Sequence, residues 1–300
     1  MAKLFKIPLR WRLMSKIIIL LLLSTISLLV TAKEDESRKS YIGFNLDYSE
    51  NHYRNYALGG AWGINSVWQI GAGGSRSNDQ DSNRYQTGFI FASGRWNDYF
   101  DNKLTLFTSE EQPEALIGNG AEIKSTVKYP ILQEGFYTTL SLALGNTHYQ
   151  QEAMQTRTLG TSTAIKDFVQ RYIVMDMSQD LLEWLLFGLA LTKYSYQDAS
   201  ETSFVGRNQR YAESTSIDGS SDYPDKKSEL YLSVFYKQFV FDLAVAKTSS
   251  KLQNNDSVNK SINLNYEYSD QFYPTIGISS IQYDDQSTNN TLSLGMDFVF

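Results

Sequence analysis

The sequence has no cysteine among its 300 residues, so no disulfide braces it and stability has to come from the fold itself. The omission suits a chain that stays unfolded while crossing an oxidising periplasm. With 20% charged residues and a mean hydropathy of -0.35, the sequence has no set of apolar runs near the roughly 20 residues a membrane helix needs. That excludes a bundle of transmembrane helices. Only two histidines occur, His52 and His148, too few for a histidine-rich metal site. There is no G-x-S-x-G elbow and no Ser-Asn signature of the phospholipase type.

What the chain does have is rings: 20 Tyr and 16 Phe, which in so polar a sequence require an architecture that places aromatics without a thick apolar core. The start of the chain reads as an address. Lys3, Lys6, Arg10, Arg12 and Lys16 precede an apolar run from Ile17 to Val30, and Val30 with Ala32 supplies small residues for cleavage. An uncleaved helical anchor is the rival reading, but the run is short and polar sequence follows at once. Residues 1–32 are therefore assigned as a signal peptide and 33–300 as the mature chain. The leader holds five bases and no acid, which leaves 22 basic against 33 acidic residues and a net charge of -11. Nucleic acid is not the partner of so acidic a protein.

From residue 40 onward the dominant period is two. Leu292, Leu294, Met296, Phe298 and Phe300 share one face, with Thr291, Ser293, Gly295 and Asp297 on the other. Ile42, Phe44, Leu46 and Tyr48 alternate in the same way with Gly43, Asn45 and Asp47, and similar rows recur at 136–144, 230–236, 239–245 and 262–268. Fourteen such segments run from 41–49 to 290–300, including 166–177, 184–196 and 228–237. Every second connection is short, while others, at 147–165 and 197–227, are long and polar. In hydrocarbon every backbone N–H and C=O has to be paired, and a sheet achieves this only by closing on itself. The reading is all-β: an antiparallel transmembrane β-barrel of about 14 strands, with short turns at one end and long loops at the other. Tyr and Phe gather near strand ends, as at Tyr48, Tyr53, Tyr99, Tyr129, Tyr149, Tyr194, Tyr196, Tyr236, Tyr268, Tyr273 and Tyr283, where their amphipathic rings suit two membrane interfaces.

On this alternation and its aromatic last strand, the chain resembles a Gram-negative outer-membrane β-barrel protein. The row Leu292, Leu294, Met296, Phe298 and Phe300 resembles the signal read by the barrel-assembly machinery. Fourteen strands in about 268 mature residues are more similar to the monomeric, wide-lumen porin G type than to the longer trimeric porins. The resemblance implies a monomer in the cell outer membrane, surrounded by lipid and lipopolysaccharide, with small solutes as its cargo and no cofactor.

One stretch resists the pattern. Asp180 to Leu191 is apolar on both faces, and Asp180 with Glu183 fits a helix N-terminus. Read as a strand, it lines a greasy lumen patch or packs beneath a folded-in loop; read as a helix, it reduces the count to twelve. Gly59, Gly60, Gly63, Gly71, Gly73 and Gly74 crowd the second and third strands, and are assigned to the twist and kinks that closure needs rather than to a loop approaching the wall.

Assigning the apolar rows outward places Asp47, Lys103, Glu122, Lys124, Lys128, Glu229, Lys237, Asp242, Glu267 and Asp297 on the lumen side. Either these mixed charges set a transverse field with weak ion selectivity, or they pair across strands and merely hydrate the wall. No arginine ladder runs along any strand, which disfavours a channel dedicated to acidic oligosaccharides. A fatty-acid channel would need an N-terminal plug, and only about eight residues separate Ala32 from the first strand; the stretch apolar on both faces keeps that option open. A rim dyad such as His148 with Asp284 is the enzymatic alternative, against hydrated loop histidines. The polar runs 77–83 and 254–257 read as weak Ca²⁺ sites or solvated loop tips. The expectation is thus a passive pore for small hydrophilic solutes, not an enzyme, with no metal and no catalytic residue. A rim enzyme acting on lipid or peptide and a non-conducting barrel acting through its loops are the alternatives.

Overall fold

A computed structural model describes residues 38–49, 53–78, 84–112, 116–133, 136–151, 167–197, 224–250, 256–284 and 287–300. The proposed signal peptide and the longest loops lie outside the described residues. The strands are β1 (Tyr41–Ser49), β2 (Arg54–Gly63), β3 (Trp68–Asn78), β4 (Arg84–Asn97), β5 (Phe100–Gln112), β6 (Leu116–Gln133) and β7 (Phe136–Gln151), followed by β8 (Asp167–Leu182), β9 (Leu185–Gln197), β10 (Pro224–Tyr236), β11 (Phe239–Ser250), β12 (Ser257–Tyr266), β13 (Phe272–Tyr283) and β14 (Thr288–Val299). Each pairs antiparallel with its neighbours in sequence, and β1 pairs with β14, so the sheet is a closed barrel without an edge. Just beyond that seam, Ser40 and Phe300 exchange two backbone hydrogen bonds of 2.9 and 2.8 Å.

Fourteen strands, not twelve, settle the ambiguous stretch. Asp180 to Leu191 is the second hairpin arm and its turn: β8 runs on to Leu182, Glu183 and Trp184 turn, and β9 begins at Leu185. Asp180 caps no helix; its Oδ2 accepts the Tyr137 backbone N–H at 3.0 Å across the ladder. The inward row of β9 is Leu186, Gly188 and Ala190, which register with Ser233, Tyr231 and Glu229 of β10. The apparent second apolar face is therefore mostly small residues, with Gly188 covered by the ring of Tyr231.

Outward rows are apolar and exposed, among them Leu140, Leu142, Leu144, Ile173, Met175 and Met177, with Met175 60% exposed. Against water such a wall would cost about 25 cal/mol for each Å² left bare, so its solvent is lipid. At the short-turn end the outward aromatics form contacting pairs: Trp62 with Phe300, Trp68 with Trp96, Tyr99 with Tyr129, and Phe272 with Phe298, with centroids 5.6, 5.4, 6.2 and 4.9 Å apart. Those rings form one interfacial girdle. At the long-loop end the expected second girdle is only partly there. Tyr48 and Tyr56 face outward, but Tyr53, Tyr149 and Tyr194 are buried on the inside, Tyr149 stacked on Phe168 at 4.7 Å. The parity of each strand, not proximity to its end, decides which way a ring points.

Two of the glycines crowding β2 and β3, Gly71 and Gly73, share a role with four glycines elsewhere in the wall. Gly71 registers with Phe91, Gly73 with Phe89, Gly120 with Phe107, Gly118 with Tyr149, Gly145 with Tyr172, and Gly188 with Tyr231. In all six cases a Cβ on the glycine would collide with the ring of its direct partner. Each inward ring therefore lies flat across the neighbouring strand, a seat that only glycine leaves open.

Candidate functional site: the barrel lumen

Inward parity on β5 and β6 puts Lys103 directly opposite Lys124, and Glu122 opposite Thr105. Lys128 lies on the same inward row of β6, nearer the short turns. Two lysines rest on rings of the wall: Lys103 Nζ is 4.1 Å from the Phe91 centroid and Lys128 Nζ is 4.4 Å from that of Tyr137. At the turn-side mouth Arg95 and Arg38 both approach Asp101, at 3.4 and 3.5 Å, and Arg38 also donates to the Ser93 hydroxyl at 3.0 Å. The sector β4–β6 is thus rich in cations.

The acids are held by side chains of their own and neighbouring strands. Asp47 on β1 accepts hydrogen bonds from the amides of Asn45 and Asn55, both at 2.8 Å. Asp242 on β11 accepts from the Ser233 hydroxyl at 2.6 Å and from the Asn265 amide at 2.7 Å. The Tyr172 hydroxyl crosses Gly145 to donate to Glu122 at 2.8 Å, and the Tyr231 hydroxyl donates to Asp176 at 2.9 Å. Glu229 pairs with Lys227 at 3.1 Å. Asp297 stands on the inward row of β14 opposite Gly43 and Tyr273.

Two of the residues assigned to the lumen from sequence lie off the strand wall. Lys237 belongs to the β10–β11 turn with φ of 53°, its ammonium 5.3 Å from the Tyr236 ring centroid. A two-residue hairpin ends β10 one residue earlier than the alternation suggests. Glu267 follows the last residue of β12 at the turn-side rim, where it accepts from the Tyr273 hydroxyl at 3.5 Å. Sequence reasoning missed Arg38, Arg95, Asp101, Asp176 and Lys227. Asp176, between outward Met175 and Met177, carries the clearest signal of the five; Asp101 and Lys227 fell outside strands drawn too short.

The residues weighed for chemistry stand apart. His148 faces outward on β7, opposite Asn119, whereas Asp284 follows β13 six strands away, so the dyad is not assembled. His52 and Asp285 lie outside the described residues. So do 79–83 and 254–255; Asp256 Oδ1 is engaged by the Ser250 backbone N–H at 2.9 Å. Among the described residues no group of three or more His, Cys, Asp or Glu is arranged to hold a metal. Leu292, Leu294, Met296 and Phe298 form the exposed outward row of β14, and Phe300 is exposed just beyond it.

No family model and no curated protein matches the sequence. Solved structures do match the shape. OccAB1 of Acinetobacter baumannii superposes with a TM-score of 0.50 at 8% identity, covering 90% of this chain and 99% of that one. CdiB from Acinetobacter baumannii gives 0.50 at 12% identity, with 88% of this chain and 60% of that one covered. The KdgM porin gives 0.43 at 9% identity over 87% and 99%. At such identities the backbone architecture is what is shared. Closed register, outward apolar rows and the likeness to OccAB1 make the chain a 14-stranded antiparallel barrel of the outer-membrane type.

Proposed function

We propose that the protein is a passive, monomeric pore for small hydrophilic solutes, and that its lumen favours anions. The observation that carries this reading is the uneven distribution of the inward charges. Lys103, Lys124 and Lys128 share β5 and β6, with two of their ammonium groups resting on rings, whereas Asp47, Asp176 and Asp242 stand apart on β1, β8 and β11. A cation on a ring face keeps its charge and most of its field, so this sector attracts anions through the wet interior. The flat seating of the inward rings supports an open lumen, and one chain closes the barrel alone, which supports a monomer.

A unit charge about 10 Å away in water contributes roughly 0.4 kcal/mol, so two lysines bias permeation only a few-fold. Planar-bilayer recording of refolded protein in a KCl gradient tests this: discrete current steps with about two- to fourfold preference for chloride are expected. Lys103→Glu with Lys124→Glu should invert the preference. Silence would refute the pore, and unchanged selectivity in the double variant would refute the assigned sector.

A further inference from the structure

At the turn-side mouth the wall carries a second layer of chain on its inner face. Residues 38–40 precede β1, and Ser40 still pairs with Phe300 through its backbone. From there the chain leaves the sheet and is bound strand by strand. Ser40 Oγ accepts the Gly63 N–H at 3.0 Å, the Lys39 carbonyl accepts the Gln69 side-chain amide at 3.1 Å, and the Arg38 N–H donates to the Asn65 carbonyl at 3.2 Å. The Arg38 guanidinium continues to β4, donating to the Ser93 hydroxyl at 3.0 Å, and to β5, where it stands 3.5 Å from Asp101. This strap therefore crosses from β2 to β5.

Register shows what lies beneath it. Gly63, Gln69, Ser93, Lys103 and Lys124 are successive direct partners, one inward rung running from β2 to β6. The strap covers the start of that rung and ends beside its two lysines, with Arg38 and Arg95 sharing Asp101 two residues before Lys103. A Cβ on Gly63 would collide with the Arg38 carbonyl oxygen and stand 2.6 Å from the carbonyl carbon. Both are backbone atoms, so no change of rotamer relieves the clash, and glycine is what lets the second backbone approach. Ser93 is 7% exposed beneath the guanidinium, and the Arg38 side chain itself is 14% exposed. A segment that merely trailed from the barrel would have no glycine seat and no buried hydroxyl fitted to it.

We infer that this strap is a constriction: fixed across the turn-side mouth by Arg38, it decides by size which anions reach the lysine rung. The inference rests on the reading of the barrel as an anion-favouring pore. The strap takes cross-section from the mouth beside the sector that attracts anions, so larger anions lose passage first. Two arginines share one carboxylate there, which leaves an excess of positive charge. The path is thus narrowed without reversing the field along it.

The chain has no cysteine, so Ser93→Cys supplies a single thiol beneath the guanidinium. In the refolded mature barrel this thiol should react with a charged methanethiosulfonate about tenfold or more slowly than when Gly63→Ala is also present, the factor that a charge-assisted hydrogen bond gives to the docked strap. Planar-bilayer recording in chloride and in gluconate completes the test. Gly63→Ala and Arg38→Gln should each raise the gluconate-to-chloride permeability ratio by about twofold or more, and Arg38→Lys should fall between Arg38→Gln and the unmodified protein. Gly63→Ala keeps every charge, so its effect reports width and not field. Should that variant fail to fold, Arg38→Gln carries both measurements. A thiol equally reactive with and without the second substitution would overturn the docked strap. A protected thiol with an unchanged ratio in both variants would overturn the constriction and leave the pore. Silence in every variant with the thiol protected would refute the pore, and the constriction with it.

Discussion

Gly145 offers a direct test of why the inward rings lie flat. A methyl group at this position would meet Tyr172 ring carbons and the hydroxyl at once, so the ring has to leave its seat. Leaving it breaks the 2.8 Å bond from the Tyr172 hydroxyl to Glu122, a charge-assisted contact worth about 1.5–3 kcal/mol. Overpacking of a buried side chain adds roughly 1–3 kcal/mol, offset by the few tenths that alanine gains over glycine in a strand. These contributions overlap, and Gly145→Ala should cost about 2–4 kcal/mol. The comparison is Gly88→Ala on the lipid face, where a new Cβ meets only the Thr108 methyl at 3.6 Å, an ordinary contact. That change should fall within about 0.5 kcal/mol of neutral. Urea unfolding of the barrel from lipid vesicles, followed by tryptophan fluorescence, measures both. Tyr172→Phe removes the hydroxyl but leaves the ring, and its loss should not add to that of Gly145→Ala in the double variant. If the two glycine substitutions cost the same, or if the Gly145 and Tyr172 losses add in full, the seating argument is wrong.

Other substitutions probe the outer wall and the turns. Met175→Arg puts a charge in the apolar row of β8 and should cost about 2–4 kcal/mol in the same vesicle assay; a loss below 1 kcal/mol would place that row outside the hydrocarbon. Lys237→Gly relieves a left-handed backbone and should stabilise the barrel by about 0.5–1 kcal/mol, and a destabilised variant would refute the turn geometry. His148→Ala should leave channel conductance unchanged in bilayer recording, since the imidazole faces away from the lumen; a changed unitary current would contradict that orientation.

The barrel is legible in the sequence because its two solvents differ so sharply. Wherever one face meets lipid and the other meets water, as in 292–300 or 140–144, alternation alone fixes the fold, the count and the parity. Legibility fails where that contrast is missing. In Leu185–Ala190 the inward row is Leu186, Gly188 and Ala190, apolar throughout, with Tyr231 covering Gly188, and no local pattern reveals a ring contributed by β10. The second girdle was misassigned for a related reason: Tyr149 and Tyr194 are near strand ends, but their parity matches that of the lumen row. The lumen charges are legible one by one. Their partners are not, since Asp242 meets Ser233 and Asn265 only through registers on both sides.

Register and the proposed selectivity rest on the same residues. A slip of one position between β5 and β6 would turn one of Lys103 and Lys124 into the lipid and draw an apolar neighbour, Leu104 or Ile123, inward. A lysine on the lipid face costs about 2–4 kcal/mol near the bilayer centre, so these two inward cations also forbid the slip. Along β3 that safeguard weakens: Gly71, Ala72, Gly73 and Gly74 offer nearly the same small surface on either face. There the rings of Phe91 and Phe89 hold the register instead, since a slip would set one of them against Ala72 and remove its glycine seat. The Ser75 and Thr87 hydroxyls, 2.7 Å apart, fix the next rung. Aromatic seating thus takes over alignment in the part of the wall where the hydrophobic pattern fades, and the glycines that weaken the pattern are the ones that make the seats.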